Sequence, residues 1–256
     1  MTVRLGLALA LAAASAGAGA RAEVPLRSPA SLSVTPAHVH LAGAASGTIR
    51  VTNAGADAVV VDAGFAGYAL DTRGRPLIAR RATTRFLVRP RRFSLRPGGV
   101  EQLSVRAVLP RTAAPGEHDG LVLLDTRPTG PGHLSVSLQV GIVVDVRVPG
   151  KVVRRLVVRS LQVRRTATGR ALHLVVANRG NISESLVARV SLLRRGRLVA
   201  RLLPRPTGHG PQRILPRAAG VVDLPYRGSL RGRMVAVVAL VQPAGRTIVR
   251  RFAVVL

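Results

Sequence analysis

The sequence predicts an all-β protein: two tandem immunoglobulin-like antiparallel β-sandwiches after a cleaved signal peptide. Three observations predict it. Apolar residues alternate with polar ones at period two along most of the chain. The 26 glycines and 17 prolines divide these stretches at short intervals. About seven such segments precede residue 150 and as many follow it, one immunoglobulin-like set on either side. A chain of 256 residues accommodates two small domains.

Residues 1–22 carry one early positive charge at Arg4, an apolar run from Leu5 to Ala14 and small residues ending Ala20-Arg21-Ala22. That is the layout of a secretory signal peptide, with cleavage expected after Ala22. The longest later apolar run, Met234 to Val241, stops at Gln242-Pro243, well short of the roughly 20 residues a membrane span needs. The expected mature chain is therefore exported and extracytoplasmic (periplasm, cell wall or secreted), without a transmembrane segment.

In the first domain, expected over 23–150, strands are predicted near Ser31–Thr35, Thr48–Asn53, Ala58–Tyr68, Arg85–Arg89, Glu101–Leu109, Gly120–Asp125 and His133–Val148. Leu103, Val105 and Ala107 alternate with Gln102, Ser104 and Arg106, so one face is core and the other solvent. The last strand is exceptionally long and ends at Pro149-Gly150, a turn that marks the domain boundary. The second domain, expected over 151–256, carries Val152–Arg164, Arg170–Asn178, Leu186–Leu193, Leu198–Leu203, Gly220–Leu224, Met234–Val241 and Thr247–Val254, with Arg194-Arg195-Gly196-Arg197 as a hairpin loop. Both halves contain a strand running into Asn-x-Gly, at Asn53-Ala54-Gly55 and Asn178-Arg179-Gly180; residues of this kind suit turn positions where φ is positive.

Composition narrows the chemistry. With no Cys, thiol nucleophiles, disulfides and zinc–cysteine sites are excluded. Aromatics at 2% with no Trp remove most stacking platforms for sugars, bases and flat cofactors. The net charge of +28 comes from 39 basic residues, all Arg except Lys151, scattered in ones and twos; with export expected, nucleic acid is an improbable partner. Anionic wall polymers are the matching electrostatic partner.

No nucleophile elbow, phosphate loop or His-Glu-x-x-His helix occurs, and eleven acidic residues leave little material for paired-carboxylate catalysis. The reading is a non-enzyme with no catalytic, cofactor or metal site assigned and its ligand-binding residues unknown. Three motifs carry side chains capable of chemistry. His38-Val39-His40 places two imidazoles on one face of a strand, but no third ligand of suitable spacing lies near it in sequence. In Glu117-His118-Asp119 two carboxylates flank an imidazole, either as a turn entering a strand or as an acid/base or cation site. Asn181-Ile182-Ser183 fits a glycosylation acceptor.

Ser33-Val34-Thr35-Pro36 followed by Gly47-Thr48-Ile49-Arg50-Val51-Thr52-Asn53 resembles the opening of WxL-interacting proteins and, more distantly, of periplasmic pilus chaperones. Phe86–Pro90 with Phe93–Gly98, Pro115–Gly120 and Val140–Gly150 extend the resemblance over most of Ser31–Gly150. It implies an exported two-sandwich protein whose first domain associates with peptidoglycan and whose second meets a partner. The resulting expectation is a cell-envelope protein that binds peptidoglycan or another anionic wall polymer, or scaffolds a surface complex. The alternative is a pilus-type chaperone or adhesin partner that engages another exported surface protein by strand addition. Two features depart from these families. WxL-interacting proteins usually end in a membrane helix, where this sequence reads Ala253-Val254-Val255-Leu256, and the basic pair with which pilus chaperones hold a subunit's terminal carboxylate has no residue-by-residue counterpart.

Overall fold

The structure, a computed structural model, describes residues 31–79, 82, 84–128, 137–167, 169–204, 212–242 and 247–256. Residues 1–22, the expected signal peptide, lie outside them, as does the 133–136 part of the expected long strand. Among the described residues every regular element is a strand.

The first ten strands are β1 (Leu32–Thr35), β2 (His38–Ala42), β3 (Ser46–Asn53), β4 (Val59–Leu70), β5 (Pro76–Ala79), β6 (Arg85–Arg89), β7 (Arg92–Leu95), β8 (Val100–Val108), β9 (Gly116–Pro128) and β10 (Gln139–Val148). They form a four-stranded sheet, β1-β3-β8-β6, and a six-stranded sheet, β2-β10-β9-β4-β5, with β7 also paired to β4. Between the sheets Ile49, Leu103, Val105, Leu124, Ile142 and Val144 are completely buried. Each such side chain contributes about 1.5–3 kcal/mol relative to exposure, and the polar partners in the alternation, Gln102, Ser104 and Arg106, face solvent.

The remaining strands are β11 (Leu156–Thr166), β12 (Gly169–Asn178), β13 (Glu184–Arg194), β14 (Arg197–Leu202), β15 (Gln212–Ile214), β16 (Ala219–Tyr226), β17 (Arg233–Val241) and β18 (Thr247–Val255). They form a sheet β11-β12-β16 and a sheet β14-β13-β17-β18, with β15 paired to β13. Leu172, Leu174, Leu192, Leu224 and Leu240 fill this second core. The expected hairpin loop joins β13 to β14, with Arg195 and Gly196 both at positive φ (50° and 78°), the backbone of a two-residue primed turn.

The structure corrects the sequence reading in four places. Strands β2, β5, β7 and β15 were not expected; each has five residues or fewer, too short for a clear alternation. Pairing is not uniformly antiparallel, because β2 runs parallel to β10: after β1 the chain crosses from the four-stranded to the six-stranded sheet and continues in the same sense. The described part of the long strand starts at Gln139, giving ten residues, and the strand expected from Val152 starts at Leu156. Finally, neither Gly55 nor Gly180 adopts positive φ. The Asn is what the motif needs. Asn53 is fully buried, donates to Asp57 O (2.7 Å) and Leu95 O (3.1 Å), and accepts from Gly55 N–H (3.0 Å). Asn178 repeats the pattern with Ile182 O (2.7 Å), Ile214 O (3.0 Å) and Gly180 N–H (2.8 Å). Gly180 is required for a different reason: a Cβ there would run into the Val153 carbonyl.

Candidate functional site between the sandwiches

Strands β9, β10 and β2 lie side by side, and their register decides which side chains meet. Asp119 of β9 is directly opposite Asp145 of β10, and Asp145 is directly opposite His40 of β2. Two residues along, Glu117 is opposite Arg147. Cross-strand partners share a face, so this row places two carboxylates and an imidazole together at the end of the first sandwich.

The second sandwich supplies the counter-charge. Arg213, on β15, places Nη2 2.9 Å from Asp145 Oδ2 and 3.5 Å from Glu117 Oε2. Glu117 also pairs with Arg147 Nη1 (3.2 Å) and accepts the Ser183 backbone N–H at 2.6 Å. Asp145 Oδ2 is 2.7 Å from His38 Nε2 and 3.4 Å from His40 Nδ1. Asp145 is buried, His38 is half-buried and His40 is open to water.

Burial, then the neighbouring Asp145 carboxylate, pushes the Asp119 carboxyl up to about 8, so near neutral pH it holds a proton. Burial alone would lower the Arg213 guanidinium, but Asp145, Asp119 and Glu117 outweigh it and the net shift is upward. Tyr68 lies at the margin of the cluster, and burial raises its phenol.

The sequence motifs divide here. His118 does not work with its flanking carboxylates, because strand alternation turns Glu117 and Asp119 to one face and His118 to the other, where Nε2 is 2.7 Å from Ala114 O. Asn181 clips the sandwiches together. Its Nδ2 donates to Pro115 O (2.9 Å) and Lys151 O (2.8 Å), its Oδ1 accepts from Val153 N–H (2.7 Å), and its carbonyl accepts from Glu117 N–H (2.8 Å). An amide nitrogen engaged in this way differs from the free glycosylation acceptor the motif suggested. Gly116, at φ 127°, lies against Asn181 so closely that a Cβ would strike its carbonyl. His38 and His40 do share a face, and the ligand missing from the local sequence, Asp145, arrives from β10. Arg213 had no sequence signal at all, one arginine among 38.

The other feature of this sheet is an open edge. β2 covers β10 only over Val143–Arg147, whereas β9 pairs with it along its whole length. Among the described residues, nothing pairs with Gln139–Ile142 on the side away from β9. Val143 N–H donates to Ala37 O on that side at 3.2 Å, so strand alternation sends Gly141 N–H and C=O there too. The edge is not a bare apolar face: Ile142, Val144 and Val146 are fully buried in the first core, and Val140 is half-buried against it.

No family model matches the chain, and no curated protein matches it. Solved structures do. A chain of the chaperone–tip adhesin complex of CFA/I fimbriae biogenesis is 10% identical, with 86% of this chain and 98% of that one covered and a TM-score of 0.52. The class 5 fimbriae chaperone CfaA is 12% identical, with the same two coverages and a TM-score of 0.51. At these identities the likeness is one of fold, and it agrees with the pilus-chaperone side of the resemblance drawn from sequence. The resemblance to WxL-interacting proteins finds no support in it.

Proposed function

We propose that this chain is a non-catalytic, extracytoplasmic chaperone-like protein that binds an extended segment of another exported protein by adding it as a strand beside β10. The observation that carries the reading is the edge at Gln139–Ile142, unpaired among the described residues, with Gly141 presenting both its donor and its acceptor outward. Main-chain pairing of this kind supplies affinity without a pocket, and alternate side chains supply selectivity. The fold likeness supports the same reading, since the neighbours are described as pilus chaperones or as a chaperone bound to a tip adhesin. The division into domains at 23–150 and 151–256 belongs to this proposal, with the Arg213 cluster holding the two at their junction.

With the resemblance to WxL-interacting proteins unsupported, the wall-polymer reading rests on charge. The test runs both. Gly141→Pro removes the outward N–H at a position that spares the β9 ladder, so the variant folds normally but loses exported proteins that co-purify with the native chain from the envelope fraction. Equal capture by both chains contradicts strand addition. Salt-sensitive sedimentation with purified cell walls, unaffected by Gly141→Pro, points instead to peptidoglycan or another anionic polymer.

A further inference from the structure

Beyond strand addition, we infer that His38, His40 and Asp145 form a binding site for a divalent metal ion of the zinc class, in which the ion competes with Arg213 for Asp145. Three features converge. Residues 38 and 40 are two apart on β2, so both imidazoles stand on one face, with ring centroids 4.4 Å apart. Asp145 is fixed directly across from His40 by strand register. Donor atoms of all three residues lie within 4.8 Å of one another. Metal–ligand bonds of about 2.0–2.2 Å in a tetrahedral shell require donors about 3.3–3.6 Å apart. The His40 Nδ1–Asp145 Oδ2 pair already has this spacing at 3.4 Å, whereas His38 Nε2, hydrogen-bonded to the same oxygen at 2.7 Å, has to draw back to admit the ion.

The donor set fixes the class of ion. Two imidazoles and one carboxylate suit zinc and its neighbours Co²⁺, Ni²⁺ and Cu²⁺, and are poor for Mg²⁺ or Ca²⁺, which require an oxygen shell. A third protein ligand completes no closed tetrahedron, so one position stays open on the water side, where His40 is 74% exposed. Arg213 sets the affinity. Its guanidinium is 2.9 Å from the oxygen the ion would take, so binding requires the arginine to withdraw from Asp145. Metal binding is thereby linked to the contact between the sandwiches, since Arg213 belongs to the second and all three ligands to the first.

The experiment is a titration of the full chain with Zn²⁺, followed by heat, and with Co²⁺, followed by its visible d–d absorption. One ion per chain with micromolar affinity is expected. His40→Asn, at an exposed position that leaves folding intact, weakens binding at least tenfold, as does Asp145→Asn, while Arg213→Gln tightens it because competition ends. His173→Asn is the control: His173 pairs with Asp223 at 2.7 Å but belongs to no such triad among the described residues, so its loss changes nothing. No binding at millimolar Zn²⁺, or binding equally strong in His40→Asn, overturns the site. Binding that Arg213→Gln leaves unchanged overturns the competition.

Discussion

The Arg213 guanidinium lies 2.9 Å from Asp145 Oδ2, an ion pair that ties the second sandwich to the first. Asp145 is 7% exposed and Arg213 29%, so solvent screens the pair only in part. Removing the cation alone leaves buried Asp145 with the two imidazoles as its basic neighbours, while Glu117 keeps Arg147 and the Ser183 N–H. Arg213→Ala is expected to cost about 2–3 kcal/mol, less than a fully buried pair because of that partial exposure. Urea unfolding measures it, and a double-mutant cycle with Asp145→Asn gives a coupling of the same sign.

The buried asparagines carry the repeat. Asn53→Ala and Asn178→Ala each remove three hydrogen bonds, although Gly55 N–H keeps a second bond to Ser31 O (3.2 Å). Each is expected to lower stability by about 2–4 kcal/mol, whereas Gly64→Ala costs far less because Gly64 is not at positive φ and a Cβ there meets nothing within 4 Å. Thermal melts of the three variants check the contrast.

Asp119 predicts the pH dependence. Its folded-state value of about 8 is above its ordinary 3.8, so the folded chain holds this proton more tightly than the unfolded one. That contribution is fully present below about pH 4 and is lost as pH rises through 8. In a chelating buffer, stability attributable to Asp119 therefore falls across this window, and Asp119→Asn flattens the slope. A native slope that survives the substitution contradicts the assignment.

Neighbouring residues on β10 separate core from edge. Ile142 is fully buried, so Ile142→Thr costs about 2–4 kcal/mol by losing apolar contact and burying a hydroxyl. Val140 is half-buried, and Val140→Thr costs about 1 kcal/mol or less. Melting temperatures of the pair, with partner capture measured on the same samples, distinguish lost folding from lost binding.

The alternation in Leu103-Ser104-Val105-Arg106-Ala107 was legible because each residue's environment repeats every second position within one strand. The second core followed for the same reason. Strand β2 was not legible, since five residues with two histidines carry neither strong β propensity nor a long pattern. The cluster was legible only in part. His38 and His40 announce a shared face by their spacing, but Asp145 is 107 positions from His38 and Arg213 a further 68 beyond that, and only sheet register and the packing of β15 bring them together. Asn181 was legible as a glycosylation-type motif but not as a clip between the sandwiches, because a three-residue pattern says nothing of what its amide touches. The open edge of β10 depends on where β2 stops, which the sequence does not mark.

Amide hydrogen exchange at Gly141 tests strand addition most directly. In the free chain its outward N–H has no partner among the described residues and exchanges rapidly, while Ile142, directed toward β9, is protected. With an exported partner segment bound, Gly141 is expected to become protected by at least tenfold with little change at Ile142. Saturating binding that leaves Gly141 exchange unaltered contradicts the account.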